Sequence, residues 1–172
     1  EALNTDRKLA DSYARANSVL LPLTFQLGDA RGRPDKPLPD FVARNRVVQV
    51  TPGSGVALPG VQVQIPVEAV GARAAALGHL NANPDIDGGI RTEPLVVQYF
   101  DQYYPSLALM IAARSLNLGP ADIQVQLGEE VRLGKLRIAT DQATQMNTFF
   151  YKDAEGKPAF QVDSFYDVVA GK

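Results

Sequence analysis

The apolar positions change period several times along the chain, and each change marks an element. Over residues 5–17, TDRKLADSYARAN, apolar residues recur at helical spacing behind Thr5, a residue able to cap a helix, so the pattern predicts a helix through about Asn17. SVLLPLTF (18–25) runs long and branched apolar residues together and reads as a buried strand. GDARGRPDKPLP (28–39) breaks the pattern with glycine, proline and charge and predicts an exposed loop, and TPGSGVALPG (51–60) predicts a second. In VQVQI, Val61, Val63 and Ile65 share one face while Gln62 and Gln64 share the other, as in a half-exposed strand. Pro66 then opens an alanine-rich helix, PVEAVGARAAA, and LGHLNA (77–82) returns to strand.

Past residue 90 the pattern turns more apolar. RTEPLVVQYF (91–100) predicts one strand. Tyr103, Tyr104 and Pro105 then start a helix, SLALMIAARSLN, apolar almost all round for two turns and predicted to be the central buried helix, with Gly119-Pro120 beyond its end. IQVQL, the polar turn GEE, VRLGKLRIA, TFFY, the turn KDAEGK and AFQV follow as strands and turns, and Asp163 stands where it would cap a last short helix, SFYDVVAG. Within VRLGKLRIA the apolar set shifts register across Gly134-Lys135, which predicts a bulge or a tight turn. These elements predict an α/β or α+β fold, a mixed β-sheet covered by at least three helices in a single domain.

Composition narrows the chemistry. With 172 residues, 45% of them hydrophobic, the chain can bury a core without metals or disulfides. Cysteine is absent, which excludes thiol nucleophiles, zinc thiolate sites and disulfide redox chemistry. Seventeen basic against 19 acidic side chains, scattered rather than clustered, argue against nucleic acid as a partner. The longest apolar run, LALMIAA (107–113), falls far short of the ~20 residues a membrane span needs. The charged start at Glu1 predicts an excised piece of a longer product.

NPDIDGG (83–89) is the most suggestive polar stretch, since Asn83, Asp85 and Asp87 alternate before a glycine as calcium loops begin. That template wants a bidentate Glu eleven residues after its first ligand. Here Pro94 stands there, with Glu93 one residue early, and the flanks read as strands rather than helices. A structural turn explains the same residues, so no metal is expected. His79 is the only histidine, which leaves a single candidate for a Ser-His pair with Ser106 or Ser54 and rules out multi-histidine metal sites. No GxSxG elbow, phosphate-binding loop or dinucleotide motif accompanies it, so no catalytic residues and no cofactor are expected. Tyr99, Phe100, Tyr103 and Tyr104 either line a pocket or fill the space between a hairpin and the following helix.

Two neighbouring segments resemble the hallmark region of the second-type CHASE domain, an extracytoplasmic sensory domain associated with cyclases and histidine kinases. The segments are GHLNANPDIDGGIRTEPLVVQY (78–99) and YYPSLALMIAA (103–113). The resemblance rests on Gly78, His79, Asn81, Pro84, Asp85, Asp87, Gly88, Arg91, Pro94, Tyr104, Pro105, Ser106, Leu107 and Ala108. DRKLADSYARANSVLLPL and SFYDVVAGK match the flanking elements, so the resemblance covers about Asp6 to Gly171. It implies the C-terminal portion of a periplasmic or extracellular sensor, lacking an N-terminal strand–helix portion and the membrane anchors. The output it implies is a histidine kinase, a nucleotide cyclase, a Ser/Thr kinase or a diguanylate cyclase.

On this reading the domain binds a small-molecule or anionic cue and is itself no enzyme. The expected ligand-binding residues are His79, Asn81, Asp85, Asp87, Arg91, Tyr104 and Ser106, gathered where the strand 77–82, the acidic turn and the start of the 106–117 helix converge. Two alternatives stand beside it. The domain dimerises and passes packing signals without a small ligand, or it is a hydrolase using His79. The polar residues also admit a purely structural role, bonding one another to lock the turn onto the helix.

Overall fold

The computed structural model describes residues 4–29, 31–34, 36–152 and 155–171, so Ala30 and Asp35 of the first loop and Asp153 and Ala154 of the expected KDAEGK turn lie outside the described residues. In chain order the elements begin with α1 (Thr5–Ala16), β1 (Leu20–Leu27), α2 (Asp40–Ala43), β2 (Gln49–Thr51), β3 (Leu58–Gln64), α3 (Glu68–Gly71) and β4 (Ala76–His79). There follow β5 (Thr92–Pro94), β6 (Val96–Tyr99), β7 (Gln102–Pro105), α4 (Leu107–Ser115), β8 (Ile123–Gln126), β9 (Glu130–Leu133), β10 (Leu136–Ala139), β11 (Gln145–Asn147) and α5 (Phe165–Ala170). The mixed α/β class expected from the sequence is the one observed. Among the described residues no helix is long and apolar enough to cross a membrane.

Three sheets carry the strands. A five-stranded sheet runs β4-β1-β3-β6-β7, a four-stranded one β10-β9-β8-β2, and β11 pairs with β5. The first is mixed: β1 lies parallel to β4 and antiparallel to β3, and β3 lies parallel to β6. Its outer strands do not stay apart, because an isolated bridge between His79 of β4 and Ser106, just past β7, joins its two edges. Inside this curl lies one core, with Leu23, Phe25, Leu77, Val97, Tyr99 and Tyr104 buried together. A second core lies between α4 and the four-stranded sheet, where Leu109, Met110 and Ala113 meet Ile123, Val131 and Leu133.

Several elements differ from the sequence expectation, each for a visible reason. The cap of α1 is Asn4 rather than Thr5, its side-chain oxygen accepting from the Arg7 N–H at 3.0 Å. The alanine-rich helix shrinks to α3, because Ala76 and Leu77 are drawn into β4 by pairing with Leu20 and Leu21. RTEPLVVQYF is two strands, not one. Leu95 leaves the ladder between them, donating its N–H to Thr144 O and accepting from Ser106 N. TFFY and AFQV form no strands, since no neighbour supplies a ladder, and Phe149, Phe150, Tyr151 and Phe160 stand exposed. Asp163 does not cap α5. Ser164 holds that position, and Asp163 accepts from the Gln161 amide instead. The register shift at Gly134-Lys135 is a tight turn, with Gly134 at φ +57° between the paired Leu133 and Leu136.

Candidate functional site

The motif region is organised by one close approach. Residues alternate faces along β4, so Ala76 and Gly78 face one way and Leu77 and His79 the other. Gly78 lies directly on the start of α4, where a Cβ would stand 2.5 Å from Leu107 Cα. Only glycine lets strand and helix meet this closely. The His79 ring therefore points away from α4 into the curl of the sheet, edge-on to Phe25 at a centroid distance of 6.3 Å.

His79 is 1% exposed. Its Nδ1 accepts the Asn81 main-chain N–H at 3.3 Å, so a neutral ring carries its proton on Nε2. That Nε2 is buried and has no hydrogen-bond partner among the described residues. Burial pushes the imidazole pKa down to about 3, which keeps the ring neutral and makes it a poor general base.

Asn81 extends the β4–β1 pairing by its side chain. Its Oδ1 accepts from Phe25 N at 2.9 Å and its Nδ2 donates to Phe25 O at 2.6 Å, standing in for a main-chain pair. Ser106 is the N-cap of α4, its Oγ accepting from Leu109 N at 3.1 Å. With that oxygen engaged at the helix, with no hydrogen bond between Ser106 and His79 side chains, and with Ser54 donating to Gly128 O, a nucleophile–base pair is not assembled. Tyr104 fills the curl beside Phe25, its hydroxyl donating to Gln102 Oε1 at 2.6 Å, and burial pushes its pKa up to about 12.

The acidic turn stands apart from these groups. Gly88 sits at φ +79°, Asp85 N donates to Gly89 O, and Gly89 N donates to Asp87 Oδ1. Arg91 closes the turn from outside, donating to Asp85 Oδ2 at 2.7 Å and to both oxygens of Asp87 at 2.9 and 2.8 Å. The bond from Arg91, then that from Gly89 N, lowers the Asp87 pKa to about 2. The expected set thus divides in three. His79, Asn81 and Ser106 meet at the seam, Tyr104 is one ring further inside, and Asp85, Asp87 and Arg91 bond one another at the surface without reaching Ser106.

The chain also carries a cleft of about 400 Å³ on the α4 side of the seam, under the 79–82 segment and walled by Leu80, Glu93, Leu107, Ile111, Thr148 and Phe150. Sequence reasoning named two of its polar members, His79 and Asn81, but missed Glu93 and Thr148. Glu93 was weighed only as a calcium ligand out of place, and Thr148 only as part of a strand. The reason is that α4 is not buried all round. Its Ile111 is 53% exposed and faces this cleft.

The family model described as the CHASE2 domain matches residues 2–171, and the chain belongs to that family. CHASE2 domains are sensory domains, typically extracytoplasmic, and are not themselves catalytic. No curated protein and no solved structure matches the chain.

Proposed function

We propose that this domain is the input of a membrane-anchored signal-transduction protein, detecting an extracytoplasmic cue and biasing a histidine kinase, nucleotide cyclase or diguanylate cyclase output. The observation that carries this reading is the seam. Among the described residues the two edges of the five-stranded sheet meet through the single His79–Ser106 bridge rather than a ladder, next to a buried donor without an acceptor. An edge held by so few bonds is a natural two-state element, and a cue acts on it by preferring one state. His79, Asn81, Tyr104 and Ser106 are the residues whose contacts change between the states, while Asp85, Asp87 and Arg91 hold the adjoining turn in shape. A thermal-shift screen of the domain against amines, carboxylates, sugars, nucleotides and divalent cations tests it. A cue at ~100 times its dissociation constant stabilises by about 2.7 kcal/mol, and no shift with any class contradicts cue binding.

A second reading draws on a different observation. Phe165, Tyr166, Val168 and Val169 of α5 are all exposed, as are Phe149 and Phe150 upstream. A face this apolar suits association of two copies of the domain, which transmits a packing signal without a small ligand. Sedimentation equilibrium showing a mass that rises with concentration supports it, and a concentration-independent monomer refutes it.

A further inference from the structure

The cleft beside α4 carries a more specific chemistry than its apolar lining suggests. Glu93 is the one charged side chain in its wall, and the carboxylate has no ion-pair partner among the described residues. The register of β5 with β11 fixes where it points. Glu93 lies opposite Met146, so the two share a face, and Thr148, two residues beyond Met146, shares it too. Met146 packs against the core that holds Leu109, Met110 and Ala113, and Glu93 and Thr148 line the cleft with Leu107 and Ile111 of α4. The Thr148 hydroxyl is buried without a hydrogen-bond partner among the described residues. Leu80, Ile90, Ile111 and Phe150, all substantially exposed, complete the wall.

Among the described residues no lysine or arginine lines the cleft, so an anion meets no opposite charge here. Arg91, between Ile90 and Thr92 of the wall, is engaged by Asp85 and Asp87, and the start of α4 is covered by Gly78 and capped by Ser106. A volume of about 400 Å³ lies in the range of small-molecule sites. From these observations we infer that the cleft is a binding site for a small monocation with an apolar body, an alkyl or aralkyl ammonium, whose ammonium meets the Glu93 carboxylate and the Thr148 hydroxyl. The apolar body lies along Leu107 and Ile111 of α4, one turn from the seam. That this ligand serves as the cue rests on the sensing reading; that it binds does not.

The test is isothermal titration calorimetry with n-butyl- and n-hexylammonium, hexanol and hexanoate, read beside methyl NMR shifts of Ile90 and Ile111. Hexylammonium binds, and each added methylene tightens binding by about fourfold. Hexanol binds more weakly and hexanoate not at all. Glu93→Gln weakens hexylammonium by about tenfold or more. Ile111→Arg, at an exposed helix position that tolerates it, fills the cleft with a competing cation and abolishes binding. Equal affinity of wild type and Glu93→Gln, equal binding of hexanoate, unperturbed Ile90 and Ile111 methyls, or no binding of hexylammonium would overturn the inference. The two readings fail separately. If hexylammonium does not bind but another class stabilises the domain, sensing survives and this site does not; if it binds and leaves amide exchange at Ser106 unchanged, the site stands and its role as cue fails.

Discussion

Lowering the pH from about 7.5 to about 5 should remove roughly 2 kcal/mol of folding stability through His79 alone. The folded ring has its pKa depressed to about 3 by burial, against 6.5 when exposed. The native state therefore excludes a proton that the unfolded chain takes up. Such a group contributes its full stability above the unfolded pKa and loses it progressively as the pH falls toward the folded one. At about pH 5 the unfolded imidazole is some thirtyfold more protonated than neutral, which multiplies the unfolded population by the same factor and gives the 2 kcal/mol. Urea unfolding across this range reads the loss as a midpoint drop of about 1 M, taking a slope near 2 kcal/mol/M. His79→Gln lowers stability at every pH but removes this part of the slope. The Asp87 carboxylate does not confuse the result, because its contribution is lost only between its unfolded value of 3.8 and its folded value of about 2, both below pH 5. A wild-type midpoint that stays flat, or one that falls equally in the variant, would refute a buried neutral His79.

Further outcomes follow from the same geometry. Asn81→Ala leaves the Phe25 N–H and carbonyl without their partners and should cost about 1–3 kcal/mol in urea unfolding; Asn81→Asp, which keeps the acceptor but loses the donor, should fall between. Gly78→Ala forces a Cβ onto the Leu107 backbone and should cost about 1–3 kcal/mol while speeding amide exchange across α4. Ser106→Ala removes the helix cap and should cost about 1 kcal/mol, with the loss concentrated in exchange of the first turn of α4. Arg91→Ala should leave the melting temperature nearly unchanged, since the cluster is exposed, but should raise the Asp87 pKa from about 2 toward the ordinary carboxylate range in an NMR titration.

What could be read from the sequence was local. The hairpin at Gly134-Lys135 and the acidic turn were legible because turn chemistry and a shift of apolar register are written in consecutive residues. The α4 helix was also legible, yet its environment was not: LALMIAA is apolar on every side, and nothing in that run says that Ile111 borders a cleft instead of a core. β11 was invisible because QMN is too short and polar to show a period, and it exists only through pairing with Thr92–Pro94. The reverse held for TFFY, whose aromatic run looks like a strand but finds no ladder. The expected grouping of seven site residues came from the family resemblance and from an expected convergence of the 77–82 strand, the acidic turn and the start of the 106–117 helix. Register then separates them, because side-chain direction alternates along β4 and sends His79 inward while Asp85, Asp87 and Arg91 remain at the surface. The seam itself joins residues 27 positions apart at two sheet edges, a long-range fact that no local pattern encodes.

The most direct test of the sensing account is amide hydrogen exchange of the domain with and without whichever compound raises its melting temperature most. The account predicts that exchange at Leu80, Ser106 and the first turn of α4 changes more than exchange in the β8–β10 sheet, because the cue acts on the seam. A stabilising compound that leaves those amides unchanged, or that slows the whole domain uniformly, would contradict it.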